Sequence, residues 1–150
     1  MSSSYRFEAV GVVHSPFKTP EEIPVERNAD PRGFDDVRGE LEIFPAFAPG
    51  LKDIDGFSHI FVLFAFHQAT ESKLQAKPPF DAKVRGIFAT RSPHRPNALG
   101  LTVVKLEERR DGVLLVYGVD MIDGTPILDI KPYTDRDRKD VIRTGWLANR

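Results

Sequence analysis

The sequence predicts a mainly β fold in one small domain, a barrel or a sandwich, with only a few short helices. Three observations carry that prediction. Seven short runs of β-branched and apolar residues recur along the chain, separated by turn residues. Eleven phenylalanines, together with Val and Ile, suit side chains that fill the inside of a small barrel. No Gly-x-Gly-x-x-Gly loop occurs, which argues for a non-Rossmann architecture.

The first strand is expected over residues 7–13, which are largely β-branched and apolar. A second covers residues 41–44, continuing a run that starts at Val37. Residues 60–66 form an unbroken apolar stretch too short for a typical helix, and read as a fully buried strand. Residues 84–90, 101–106, 113–119 and 127–130 add four more strands, with Arg110-Asp111-Gly112 as a hairpin turn between two of them. Short helices are expected over residues 45–51, around Ser72 and over residues 137–146. Residues 19–39, rich in Pro, Gly and acids, read as a long loop, a feature that is often functional inside a compact domain.

With 150 residues, 41% of them hydrophobic and 29% charged, the chain fits a single domain, 1–150, large enough to bury a core. The formal net charge of -1 gives no global attraction to nucleic acid, so an RNA contact must come from a local basic patch. Such a patch exists: acids crowd the N-terminal third, while Lys83, Arg85, Arg91 and Arg95 make the middle basic. Without cysteine there is no disulfide, thiol nucleophile or thiolate metal site, which suits a reducing cytoplasm. The start has no basic segment followed by an apolar one, and no apolar run approaches the roughly 20 residues that span a bilayer. A cytoplasmic protein with no membrane partner is expected. His14, His59, His67 and His94 have no spacing that fits a metal chelate, so no metal is expected either.

The most informative segment is Arg91-Ser92-Pro93-His94-Arg95-Pro96-Asn97-Ala98-Leu99-Gly100. Two prolines fix φ and remove donors, so the arginines, histidine and asparagine are displayed on a stiff loop that the flanking strands anchor at both ends. Three further constellations accompany it. His67-Gln68 follows the buried strand and sets an imidazole and an amide at the mouth of the sheet. Asp120-Met121-Ile122-Asp123-Gly124-Thr125-Pro126 is a tight turn with two acids, a hydroxyl and a glycine able to take positive φ. Gly11-Val12-Val13-His14-Ser15-Pro16-Phe17 ends a strand in a histidine and a proline-enforced turn.

Taken in order, these segments resemble the TrmO family, also called TsaA or YaeB-like, of S-adenosylmethionine-dependent tRNA methyltransferases. The similarity runs from Gly11-Val12-Val13-His14-Ser15-Pro16 through Gly39-Glu40-Leu41, Phe57-Ser58-His59 and Phe66-His67-Gln68. It continues through Phe88-Ala89-Thr90-Arg91-Ser92 with Arg95-Pro96-Asn97, and ends in Asp123-Gly124-Thr125-Pro126 and Asp129-Ile130-Lys131-Pro132-Tyr133. The last two blocks are individually specific. The resemblance implies a single small β-barrel working as a homodimer. It implies methyl transfer from S-adenosylmethionine to N6 of threonylcarbamoyl-adenosine beside the anticodon of a threonine tRNA, and a 1–150 domain without the C-terminal extension of larger bacterial members.

By the same resemblance, the cofactor-binding residues are Pro24, Val25, Glu26, His67, Gln68, Arg91, Leu101, Ile122, Asp123, Gly124 and Thr125. Pro24-Val25-Glu26 stands where relatives favour Pro-Arg-Gln, and Pro93-His94 where some carry Thr-Phe. Apolar and backbone groups can flank adenine, a carboxylate can take ribose hydroxyls, and Arg91 can pair with the methionyl carboxylate. His94, Arg95 and Asn97 are expected to meet phosphate or base edges of the anticodon arm, with aromatic stacking in support. The reaction needs placement in line and a group that draws off the N6 proton. Asp120, Asp123 and His67 are the catalytic candidates, and the residues do not choose among them. The alternative is a non-catalytic S-adenosylmethionine- or RNA-binding barrel, which keeps the loop and the pocket but needs no proton acceptor.

Overall fold

In a computed structural model that describes residues 3–149, eight strands form: β1 (Gly11–His14), β2 (Arg38–Ile43), β3 (His59–Ala65), β4 (Gln75–Ala76), β5 (Arg85–Gly86), β6 (Leu99–Arg110), β7 (Val113–Tyr117) and β8 (Pro126–Pro132). Six of them close one antiparallel barrel in the order β1-β2-β7-β6-β3-β8, with Gly11 paired to Ile127 at the closure. The predicted mainly β, single-barrel fold is the observed one. The opening Met1-Ser2 and the final Arg150 of the expected 1–150 domain lie outside the described residues.

Closure works because β1, β2, β3 and most of β6 alternate in the period of the pleat, while β7 is buried at three consecutive residues, Leu114 to Val116. Val13, Leu41, Ile60, Val62, Val104, Leu114, Val116 and Ile127 all point inward and are at most 1% exposed. Residues 60–66, expected to be buried throughout, form a strand buried only on alternate residues, because a barrel strand has an outer face. Phe64 fills the interior opposite Gly100, where a side chain would run into its ring. The β6–β7 hairpin turns at Asp111-Gly112, as expected, with Asp111 at φ 54.

The departures are local. Of the expected first strand, residues 7–13, only the end from Gly11 falls in β1, preceded by Val10, whose N–H bonds Ile127 O at 2.8 Å; Phe7 is 65% exposed and has no barrel face to cover. Residues 84–90 give the short β5, paired with β4 in a separate two-stranded sheet, and then a 3-10 turn over Ile87–Ala89. Val84 and Phe88 are exposed, and Thr90 donates both its backbone N–H and its hydroxyl to Ile87 O, which curls the chain instead of extending it. The Arg91 loop is therefore anchored by a strand only on its β6 side.

The expected helices shrink to single 3-10 turns, at Ala48–Leu51 in the first case. Around Ser72 there is no helix, and the chain runs into β4. Over residues 137–146 the helix is replaced by turns at Asp135–Asp137 and Gly145–Asn149. Thr134 and Asp137 cap the first, and Gly145 enters the second at φ +55. The long loop over residues 19–39 holds two 3-10 turns, Pro20–Glu22 and Val25–Ala29, before β2 begins.

Candidate functional site

One end of the barrel, where β6 begins and β7 ends, opens into a cleft of about 1110 Å³. Its floor is Thr102 of β6 with Gly118 and Asp120 beyond β7, Val103 borders it from the outer face of β6, and its walls come from the long N-terminal loop, residues 73–94 and Trp146. Gly118 sits at φ +110, a conformation that favours glycine, and its N–H bonds Val37 O at 2.8 Å, turning the chain so that Asp120 reaches the floor.

Both walls are braced. In the N-terminal loop, the Arg27 guanidinium donates to Asp36 at 2.5 Å and lies 5.7 Å over the ring of Phe34, which packs edge-on against Phe17. The exposed Asp36 carboxyl is held below its usual range chiefly by that hydrogen bond. In the opposite wall, Trp146 stacks on Phe80 at 5.8 Å, lies 5.1 Å from the Arg85 guanidinium and donates Nε1–H to Ala89 O at 2.8 Å. Arg85 is itself held by Asp81 at 2.7 Å. These aromatic contacts fix the turn that presents Phe88, 80% exposed, at the rim.

The Arg91 loop is clamped from within. Arg95 donates one guanidinium nitrogen to Thr90 O and Ser92 O, both at 3.0 Å, and Ser92 N–H bonds Thr90 Oγ1 at 3.3 Å. Arg91 is left exposed toward the cleft. At the floor, burial pushes the Asp120 carboxyl up to about 6, opposed by its own backbone N–H, the Arg91 charge and the Thr102 hydroxyl. Asp120 Oδ1 and His94 Nδ1 are both buried without a hydrogen-bond partner.

Of the residues singled out from sequence, the cleft gathers Val25, Arg91, His94 and Asp120. Pro24, Glu26, His67, Gln68, Arg95, Asn97, Leu101, Ile122, Asp123, Gly124 and Thr125 do not line it. Asp123 faces the end of β1, where it accepts Ser15 N–H at 2.9 Å and pairs with Lys18 at 3.2 Å. The Ser15 bond is the main reason its carboxyl lies below the usual range. Thr125 is buried and donates to Ile122 O at 2.7 Å, so this turn ties β8 to β1. His67 and Gln68 are exposed beyond β3, and Leu101 stands with Leu99 and Val103 in an exposed apolar row on the outer face of β6.

Sequence reasoning did not single out Lys73, Lys77, Phe80, Thr102 or Trp146, all of which line the cleft. The signals were faint: two lysines close before Pro78-Pro79, and the only tryptophan, near the chain end. Among the described residues, no three His, Asp or Glu side chains cluster so that they could hold a metal ion.

A closed antiparallel barrel with a cleft of mixed charged and apolar lining at one mouth is an architecture distinct from Rossmann domains. Residues 12–137 match the family described as the tRNA-methyltransferase O N-terminal domain, and the chain belongs to that family. A probable S-adenosyl-L-methionine-binding protein from Pyrococcus abyssi is 44% identical over 142 residues, covering 94% of this chain and 75% of that protein. The tRNA (adenine(37)-N6)-methyltransferase of Escherichia coli K12 is 40% identical over 141 residues, covering 87% of this chain and 58% of that enzyme. A crystal structure of TrmO from P. aeruginosa superposes with a TM-score of 0.75 at 36% identity, covering 97% of this chain and 62% of that one. The chain thus spans somewhat less than two thirds of these two bacterial relatives.

Proposed function

We propose that the chain is an S-adenosylmethionine-dependent tRNA (adenine-N6)-methyltransferase. Its substrate in this reading is N6 of threonylcarbamoyl-adenosine next to the anticodon of a threonine tRNA. Membership of the family and the names of its relatives support the reaction class. The observation that carries it to this site is the cleft itself, which is lined both by exposed Arg91 and by Asp120, whose buried Oδ1 has no hydrogen-bond partner.

The donor set suits the ligands. Arg91 offers a planar cation to the methionyl carboxylate, and Asp120 offers an unused acceptor to an N–H. S-adenosylmethionine, when bound, supplies an activated methyl group on a sulfonium that leaves as a neutral thioether. The protein's part is to hold the reactants in line and to take up the N6 proton. Among the three candidate acceptors, Asp120 alone lines the cleft. Its carboxyl, raised to about 6 by burial, is still mostly ionised at pH 7 and is a better base than an ordinary aspartate.

The reading includes a homodimer in the cytoplasm. His67, Gln68 and Leu101 lie outside the cleft, and Leu101 belongs to an apolar row that a two-fold contact would cover. A mass spectrum of the nucleosides of tRNA incubated with protein and S-adenosylmethionine tests the activity: the methylated nucleoside is expected, and its absence with both ligands bound points to the non-catalytic barrel.

A further inference from the structure

The two buried side-chain polar atoms that lack a partner among the described residues, Asp120 Oδ1 and His94 Nδ1, belong to residues lining the same cleft. Elsewhere the fold meets this need: buried Thr125 donates to Ile122 O, and Ser15 Oγ accepts Phe17 N–H. Leaving a carboxylate oxygen buried and unmet is costly, so native proteins keep such atoms where something other than the fold satisfies them.

The chemistry of that partner is constrained. An ionised carboxylate only accepts hydrogen bonds, so its partner must present an N–H or O–H. In the same cleft, Lys77 and Arg91, with Lys73 paired to Glu71 at 3.3 Å, favour an anion-bearing ligand, and the exposed ring of Phe88 offers a face for a planar one. A planar ring with an exocyclic N–H, carried on an anionic chain, describes an amino-bearing nucleobase, and the methyltransferase reading narrows it to a 6-amino purine.

We propose that Asp120 is a specificity-determining residue that accepts the exocyclic N–H of an adenine-type base bound in this cleft, with His94 Nδ1 meeting a second polar position of the ligand. The inference rests on the methyltransferase reading and adds to it how the site tells a 6-amino from a 6-oxo purine. A 6-oxo purine sets a carbonyl oxygen against the carboxylate and is repelled. The base has two possible sources, the RNA and the methyl donor, and they share this chemistry.

The test measures binding by wild type and Asp120→Asn to two matched pairs. One is an anticodon stem-loop RNA carrying adenosine or inosine 3′ to the anticodon, and the other is S-adenosylhomocysteine or S-inosylhomocysteine. Wild type is expected to prefer the amino member of one pair by roughly tenfold or more, and the asparagine, which both donates and accepts, to bring that ratio near unity. The pair that responds identifies the source. The proposal is overturned if wild type has no preference in either pair, or if the variant keeps the preference in full. The ratio within one variant cancels general loss of affinity. Should Asp120→Asn fail to fold, Asp120→Glu, which keeps the charge but moves the oxygens, is expected to diminish the same ratio. The homocysteine pair reads the cleft without RNA or turnover, so its outcome is separate from the nucleoside mass spectrum that tests the methyltransferase reading.

Discussion

Asp120 and Arg91 face the same cleft, one with a buried carboxylate oxygen that has no hydrogen-bond partner, the other with an exposed guanidinium. An acid whose folded pKa is raised destabilises the fold wherever it is ionised. The unfolded carboxyl titrates near 3.8 and the folded one near 6, so stability falls as pH rises from one value to the other and stays lower above both. The cost at neutral pH is up to about 3 kcal/mol. Asp30, Asp36, Asp81 and Asp123 shift downward and act in the opposite sense, losing stability at lower pH. The difference between wild type and Asp120→Asn isolates the cleft residue. Denaturant titrations should find the variant more stable at pH 7 and the gap closing by about pH 4. A gap independent of pH would place the Asp120 charge in contact with water. For Arg91→Ala, titration calorimetry should find S-adenosylmethionine bound more weakly by roughly 1.5–3 kcal/mol, the range for a hydrogen bond to a charged group. Equal affinity would remove Arg91 from the site.

Among the elements, the loop from Arg91 to Gly100 is held by its own second arginine. Read from sequence alone, Arg95 looks like a free cation for RNA. In the fold its guanidinium satisfies Thr90 O and Ser92 O, the two carbonyls that flank Arg91. Arg95→Ala should therefore weaken S-adenosylmethionine binding as well as tRNA binding, by about 1–3 kcal/mol for the unmet carbonyls and the loosened loop. Isotherms at several salt concentrations separate the roles: a salt slope reduced by nearly one unit, with donor affinity intact, would make Arg95 a phosphate ligand only. The barrel strands were legible because short β-branched and apolar runs are written locally, as in residues 101–106, but which face turns inward was not: buried Thr102 is polar while exposed Leu101 and Val103 are apolar. Residues 84–90 misled because their apolar residues meet no barrel face: Val84 and Phe88 are exposed, and Ile87 is buried outside the main core cluster. The cleft was half legible. Arg91, His94 and Asp120 stand in motif blocks, whereas Trp146 and Phe80 meet only through a contact distant in sequence, which no local pattern records.

For the whole molecule, the apolar row of Leu99, Leu101 and Val103 on the outer barrel face is the surface the proposed dimer needs. Leu101→Glu should leave the barrel folded, since the side chain is already 49% exposed, and should shift light scattering at micromolar concentration from dimer to monomer. A wild-type monomer with full activity would contradict the assembly. The central claim is that this barrel mouth methylates an adenosine of tRNA. It is tested most directly by incubating threonine tRNA with the purified protein and S-adenosylmethionine and resolving the nucleosides by mass spectrometry. Threonylcarbamoyl-adenosine is expected to gain one methyl group on N6, and Arg91→Ala to slow the appearance of the methylated nucleoside. Unmodified nucleosides from a protein that binds both tRNA and S-adenosylmethionine would contradict it.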